Sequence, residues 1–206
     1  MGISKSQTQV FSKIAQCRLC ENRFATSVSA HEPRPIVWAS PGAKVLIAGQ
    51  APGIRVHESG QPFTDRSGDR LRDWLGLTVE TFYDKNFCAI LPMAFCFPGY
   101  NAKGHDLAPP KICAKAWRVQ ALEALGQVEV KVLIGGYAQA WHLRDGLTMQ
   151  VRMQKWRSYG PDSFVLPHPS WRNNGWIKRN PWFETELIPV LQNRILNARE
   201  TTKGTP

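Results

Sequence analysis

The chain has no apolar run approaching the roughly 20 residues that a membrane-spanning helix requires. Its opening, MGISKSQTQVF, lacks the apolar segment of a secretory signal. Together these absences lead us to expect a cytoplasmic protein with no membrane partner. No internal repeat is present, which sets aside solenoid architectures. Acidic residues are scarce: 16 Asp and Glu stand against 26 Lys and Arg, a formal charge of +10. Such an excess attracts polyanions. No long basic run carries it; the basic residues recur in short groups among aromatics, which favours nucleic acid over a disordered basic tail. Five cysteines without a secretion signal argue against a disulfide framework. What is present is an ordinary core: 206 residues, 43% of them hydrophobic, enough for one domain.

Apolar runs and helical spacing alternate along this core. KSQTQVFSKIAQ (5–16) places Val10, Phe11 and Ile14 on one helical face. An irregular basic, proline-containing stretch runs to about residue 42, and KVLIAG (44–49) reads as the first buried strand. GIRVHESGQPFTDRSG reads as a loop, followed by a helix in DRLRDWLG (69–76) that Gly76 ends. NFCAILPMAF (86–95) is strand-like but interrupted by Pro92, and a long loop leads to a helix over 111–125. VKVLIGG (130–136) and SFVLPHPS (163–170), the latter ending at His168, are further strands separated by a helix from about Tyr137. A closing helix spans 181–198 with a kink expected at Pro189, and 199–206 reads as a disordered tail. Continuous apolar strands alternating with helices predict a single-domain three-layer α/β/α fold with a central, mainly parallel four-stranded sheet. Sites in such folds collect beyond the strand C-termini. GQAPG (49–53) and HPS (168–170) both lie there. In GQAPG two glycines permit unusual dihedrals and a close approach, and Pro52 removes a backbone donor.

Cys17 and Cys20 form C-x2-C, and Cys96 and Cys113 flank a loop rich in Pro and Gly. Two such pairs suit structural zinc or an iron–sulfur cluster. Cys88, inside an apolar strand, reads as a buried thiol.

GQAPG, ESGQPF, SGDRLRDWLG, Cys96 with Cys113, and HPS, in that order, resemble the layout of the uracil-DNA glycosylase superfamily. The similarity is to its iron–sulfur branch, families 4 and 5, of which the chain looks like a divergent member. It covers roughly residues 10–195, within a domain of 1–198. The resemblance implies a 4Fe–4S cluster at Cys17, Cys20, Cys96 and Cys113, with structural zinc the alternative. It also implies that Gly49, Gln50, Ala51, Pro52 and Gly53 line a pocket for a flipped base. Phe63 matches the aromatic that stacks on the base, and His168 the residue that donates to a base carbonyl. Ser170 is positioned to hold a phosphate. The loop after HPS matches the segment that wedges the duplex. Trp171 or Trp176 is the expected wedge, Arg172, Lys178 and Arg179 contact phosphates, and Asn173 belongs to the same surface. The implied partner is DNA containing a deaminated or damaged base, bound by a monomer in base excision repair.

Two departures qualify the match. Gln50 stands where family 4 carries Glu; a Gln is no base, but its carbonyl orients a water. Asp65, in PFTD, is the expected substitute anion, although an N-cap of the following helix accounts for it nearly as well. His57 and Glu58 are lesser candidates. Pro92 occupies the place of the Asn whose amide reads uracil in the family, and Asn101 does not match that position. Uracil, hypoxanthine, xanthine or another altered base therefore remain open as substrates. Three functions follow in order: a monofunctional glycosylase using water, an altered-base binding module with weak or no catalysis, and an enzyme acting on a small nucleotide.

Overall fold

The computed structural model describes residues 5–203. In chain order its elements are α1 (Lys5–Ala15), α2 (Glu21–Ala25), β1 (Val45–Ala48), α3 (Ile54–Ser59), α4 (Arg66–Leu75) and α5 (Val79–Tyr83). They continue with β2 (Cys88–Ile90), α6 (Lys111–Leu125), β3 (Val130–Ile134), α7 (Gly135–Leu143) and α8 (Met149–Gln154). β4 (Ser163–Leu166), α9 (Asn174–Arg179) and α10 (Ile188–Lys203) close the fold.

All four strands are parallel, in the order β2-β1-β3-β4. Every residue of β1 and β2 is buried, which is why both read as unbroken apolar runs. Alternation along β1 sorts the two faces. Val45 and Ile47 pack with Leu71, Trp74 and Leu75 of α4, Phe82 of α5 and Leu191 and Ile195 of α10. Leu46 faces the opposite way, onto Phe11 and Ile14 of α1 and Ala121, Ala124 and Leu125 of α6. The single domain is therefore the expected three-layer α/β/α sandwich. No helix among the described residues is long and apolar enough to cross a membrane.

Several local expectations need correction. The segment after Gly53, expected as a loop, contains the short helix α3. The basic stretch before β1 contains α2. β4 stops at Leu166, so His168 lies in the loop beyond the strand. The closing helix passes residue 198 to Lys203, overturning disorder from 199; residues 204–206 of that tail lie outside the described residues. Pro189 falls in the first turn of α10, which runs on without a break. Phe183–Leu187 winds as a π-helix immediately before α10, where a proline ring and its missing N–H disturb the regular ladder.

Chain order reverses across β1, with β2 on one side and β3 on the other. A crevice opens beyond the strand ends at such a reversal.

Candidate active site

A cavity of about 310 Å3 occupies this crevice. Ile90, at the end of β2, and Ile134, at the end of β3, join Ile36 and Pro92 as its apolar lining. The turn Gly49–Gly53 after β1 lines it together with Phe63, Asp65, Asp106 and His168. The structure thus brings together segments more than a hundred residues apart in the chain.

The glycines of the turn serve space and not dihedral freedom. Neither Gly49 nor Gly53 has a positive φ. A Cβ added to Gly49 meets nothing within 4 Å, and one on Gly53 meets only Asp106 Oδ2, at 3.9 Å. No protein atom crowds Gly49, so the room kept there is room for a ligand. The carbonyls of Gly49 and Gln50 accept from Met93 N–H at 2.9 Å and Ala94 N–H at 3.1 Å, pinning the turn to the segment after β2. Gln50 supplies the one carboxamide side chain among the described residues lining the cavity, and Pro92 lines it too. Asn101 stands elsewhere: its Oδ1 accepts from the amides of Lys103 and His105 at 2.9 and 3.0 Å.

Pro92 is held from behind. Buried Arg118 donates to the carbonyls of Leu91 (2.5 Å) and Pro92 (3.2 Å) and to His142 Nε2 (2.5 Å). Burial lowers the His142 pKa to about 3, so the ring is neutral and accepts this bond.

Phe63 is the strained residue of the site. Its φ of 56° lies in the left-handed region that non-glycine residues seldom adopt. Tyr83 Oη donates to the carbonyls of Pro62 (2.8 Å) and Phe63 (2.9 Å), and Arg72 Nη1 donates to Phe63 O at 3.2 Å. α4 presses against the same carbonyl through Gly68, where an added Cβ would stand 1.8 Å from Phe63 O. The backbone at Phe63 is thereby held, and its ring packs edge-on to Phe82, 6.1 Å between centroids. Gly68→Ala must displace Phe63 or α4; we expect a stability loss of about 1–3 kcal/mol and weaker ligand binding at the cavity, measured by denaturant unfolding and ligand titration. Stability and binding unchanged from the parent would refute this account of the turn.

Asp65 is the N-cap of α4. Its Oδ1 accepts from Ser67 N–H (3.2 Å), Gly68 N–H (3.3 Å) and Ser67 Oγ–H (2.5 Å). The capping account of this residue is therefore realised, while the side chain also borders the cavity.

His168 receives the backbone N–H of Ser170 on Nδ1 at 3.2 Å. An accepting Nδ1 places the ring proton on Nε2. The His168 side chain is exposed at the rim; desolvation by the protein around it, with Arg172 adding to it, lowers its pKa, while Asp65 and Asp106 oppose the shift. The ring is a neutral Nε2–H donor at the cavity rim. Ser170 itself does not line the cavity; its contribution is this backbone donor and a carbonyl that accepts from Arg70 Nη1 at 3.4 Å. Asn173 faces inward, donating from Nδ2 to His168 O at 2.6 Å, so it braces the loop. Arg70 also donates to Asn174 Oδ1 at 2.7 Å.

The two tryptophans separate. Trp171 is 73% exposed, with Arg172 stacked 5.8 Å from its ring centre. Trp176 packs edge-on against Trp182 and Phe183, both at 5.8 Å, which removes it as a wedge and makes it an anchor of α9. Lys178 and Arg179 are exposed in the last turn of α9.

His57 and Glu58 do not line the cavity. His57 packs in an aromatic column with His31 and Phe97. Sequence reasoning missed Arg55 and Asp106, which both line the cavity, and Arg70 and Tyr83, which fix its walls. Asp106 carried one faint signal: it is the sole acidic residue between Cys96 and Cys113.

Cys17, Cys20, Cys96 and Cys113 border one apolar pocket with Ile14, Phe24, Phe95 and Trp117. Burial, reinforced by the neighbouring thiols, pushes the Cys96 pKa to about 12. Burial pushes Cys113 to about 11 and raises Cys20. Among the described residues no three His, Cys, Asp or Glu side chains stand close enough to hold a single metal ion. Cys88 is fully buried in β2, as expected.

A family model, that of the Uracil DNA glycosylase superfamily, matches residues 37–192. The matched span contains every residue described above as lining the cavity except Ile36, and it contains Cys96 and Cys113 but not Cys17 and Cys20.

Proposed function

The chain belongs to the uracil-DNA glycosylase superfamily, and from that premise we propose that it is a monofunctional DNA glycosylase hydrolysing the N-glycosidic bond of a flipped, deaminated base. The observation that carries this reading is the convergence of Gly49–Gly53, Phe63 and His168 on one cavity at the sheet reversal. A base inside a duplex is out of reach, so it must be extruded, at a few kcal/mol. In the pocket Phe63 stacks on the base and Gln50 presents its amide to the base edge or to water. As the C–N bond breaks, negative charge develops on the base, and the neutral His168 donates from Nε2 to a base carbonyl. Asp65 adds negative charge near the sugar, where positive charge develops. Trp171 is the wedge that fills the vacated stack, with Arg172, Lys178, Arg179 and Arg55 on phosphates.

A 4Fe–4S cluster held by Cys17, Cys20, Cys96 and Cys113 belongs to the same proposal. When bound it would supply a structural tie between the N-terminal segment and the loop of residues 96–113. What supports it is a donor set of four thiols around one apolar pocket.

The test is base release from oligonucleotides containing uracil, hypoxanthine, xanthine or alkylated bases, single-stranded and duplex. Release of uracil means that Gln50 and backbone groups replace the missing Asn. Release of another base alone makes Pro92 the mark of a changed specificity. The second reading, an altered-base binding module, is favoured by Pro92 and Gln50; silence across the panel with DNA binding retained would establish it and refute the glycosylase.

A further inference from the structure

We propose that Asp106 is the carboxylate that takes the proton of the attacking water and faces the sugar cation; this rests on the glycosylase reading. The cavity is divided by chemistry. Its apolar wall, Ile36, Ile90, Pro92 and Ile134, suits the flat base. The sugar must then lie between that wall and the basic loop that receives phosphate. Asp106 stands in this interval: it lines the cavity, its Oδ2 lies 3.9 Å from the position of a Cβ on Gly53, and its charge is felt by His168. Arg172, on the phosphate side, acts on Asp106 in turn.

The placement is built and not a loose loop end. Tyr100 and Asp106 pair as an antiparallel bridge. Leu107 N–H donates to Gly99 O at 2.8 Å, and Asn101 N–H to His105 O at 2.9 Å. Asn101 Oδ1 gathers the amides at the tip. The result is a small closed hairpin that delivers one carboxylate to the cavity rim. Asp65, by contrast, has Oδ1 committed to three donors of the α4 cap. A water at Asp65 has only Oδ2 left to it.

The step balances without any further reactant. The water oxygen forms a bond to C1′ as the C1′–N bond breaks, and its electron pair leaves with the base. The proton lost by the water passes to Asp106. The base anion, stabilised by the Nε2–H of His168, takes up a proton from solvent, and Asp106 returns its own. The products are the free base and an abasic sugar. Although Asp106 is exposed at the rim, desolvation by the protein around it raises its pKa, with Arg172 and His168 opposing, which moves this carboxyl toward the range where a general base is effective.

The experiment compares Asp106→Asn and Asp65→Asn with the parent protein in single-turnover base release and in two binding titrations. The binding probes are duplexes with a cationic pyrrolidine or a neutral tetrahydrofuran at the abasic position. Asn caps a helix as well as Asp, so Asp65→Asn removes charge and keeps α4; thermal unfolding of each variant checks that both fold. We expect Asp106→Asn to lose about 100-fold or more in rate and the preference for the cationic probe, with neutral-probe affinity intact. Asp65→Asn should lose less than tenfold in rate. Release that survives Asp106→Asn would overturn the inference and leave the glycosylase reading standing. A parent protein that releases nothing but prefers the cationic probe through Asp106 would support the charge placement and defeat the enzyme. A parent that neither releases a base nor prefers that probe would overturn both.

Discussion

His168→Ala is expected to slow base release by on the order of 100- to 1,000-fold while duplex affinity changes little. The reasoning starts from the ring's hydrogen bonds. Ser170 N–H donates to Nδ1 at 3.2 Å, which leaves Nε2 carrying the proton at the cavity rim. Desolvation by the surrounding protein and the Arg172 charge lower the pKa of the exposed ring, so at neutral pH it is uncharged. A neutral imidazole gives little to the ground-state base, whose carbonyl carries only partial charge. It gives much more once the leaving base becomes anionic, because the bond is then charge-assisted in a site from which water is displaced. The loss should therefore appear in the single-turnover rate with the dissociation constant unchanged. His168→Asn restores a donor at shorter reach and should recover part of the rate. In the parent enzyme the pH profile should show no histidine step at the ordinary value near 6.5; titration of His168 lies below it. A variant that loses affinity and rate equally would mean that His168 only binds.

The strands and the outline of the pocket were readable because burial writes itself into composition. β1 and β2 are covered on both faces, so their residues are apolar without interruption, β3 is buried but for Lys131, and two glycine- or proline-bearing motifs mark the ends that face the crevice. α2, α3, α5 and α9 were not readable. Each spans only five or six residues, too short for a periodic stripe, and owes its existence to packing and caps such as Thr78 on α5. Asp65 shows the limit of motif reasoning. The same residue satisfies a capping rule and a catalytic expectation, and only its three bonds within α4 reveal which atom is engaged. Trp171 and Trp176 are equivalent as letters. They separate because Trp176 meets Trp182 and Phe183 in space, an encounter that no local pattern announces. Asp106 stayed hidden for a related reason: a ten-residue interval from Cys96 says nothing about direction until the bridge to Tyr100 turns it toward the cavity.

Cys96→Ser is expected to abolish iron and sulfide binding and to destabilise the domain by several kcal/mol, whereas Cys88→Ala should retain the visible colour and lose only about 1 kcal/mol. The contrast follows from surroundings. Cys88 is fully buried in β2, with burial holding its thiol at a pKa of about 12 and no second cysteine acting on it. Cys96 is held near 12 by burial too, but Cys113, Cys20 and Cys17 add to the shift in that order. Cys20, Cys96 and Cys113, each made harder to ionise by neighbouring thiols in an apolar pocket, form a poor arrangement without positive charge among them; coordination would reverse the sign of those interactions. Two donors already point at sulfur: Trp117 Nε1–H to Cys17 Sγ at 3.2 Å and Phe95 N–H to Cys113 Sγ at 3.5 Å. Both suit thiolates better than thiols, and such bonds tune clusters. The consequence extends to the pocket. Cys96 and Cys113 bracket the hairpin that carries Asp106. Cys96→Ser should therefore lower base release even in the fraction that stays folded, because the base of that hairpin is no longer fixed. Metal analysis, visible absorption and thermal unfolding on anaerobically purified protein check all three expectations. Colourless parent protein carrying stoichiometric zinc would replace the cluster with a mononuclear site, and metal-free parent protein of unchanged stability would refute the assignment of the four cysteines altogether.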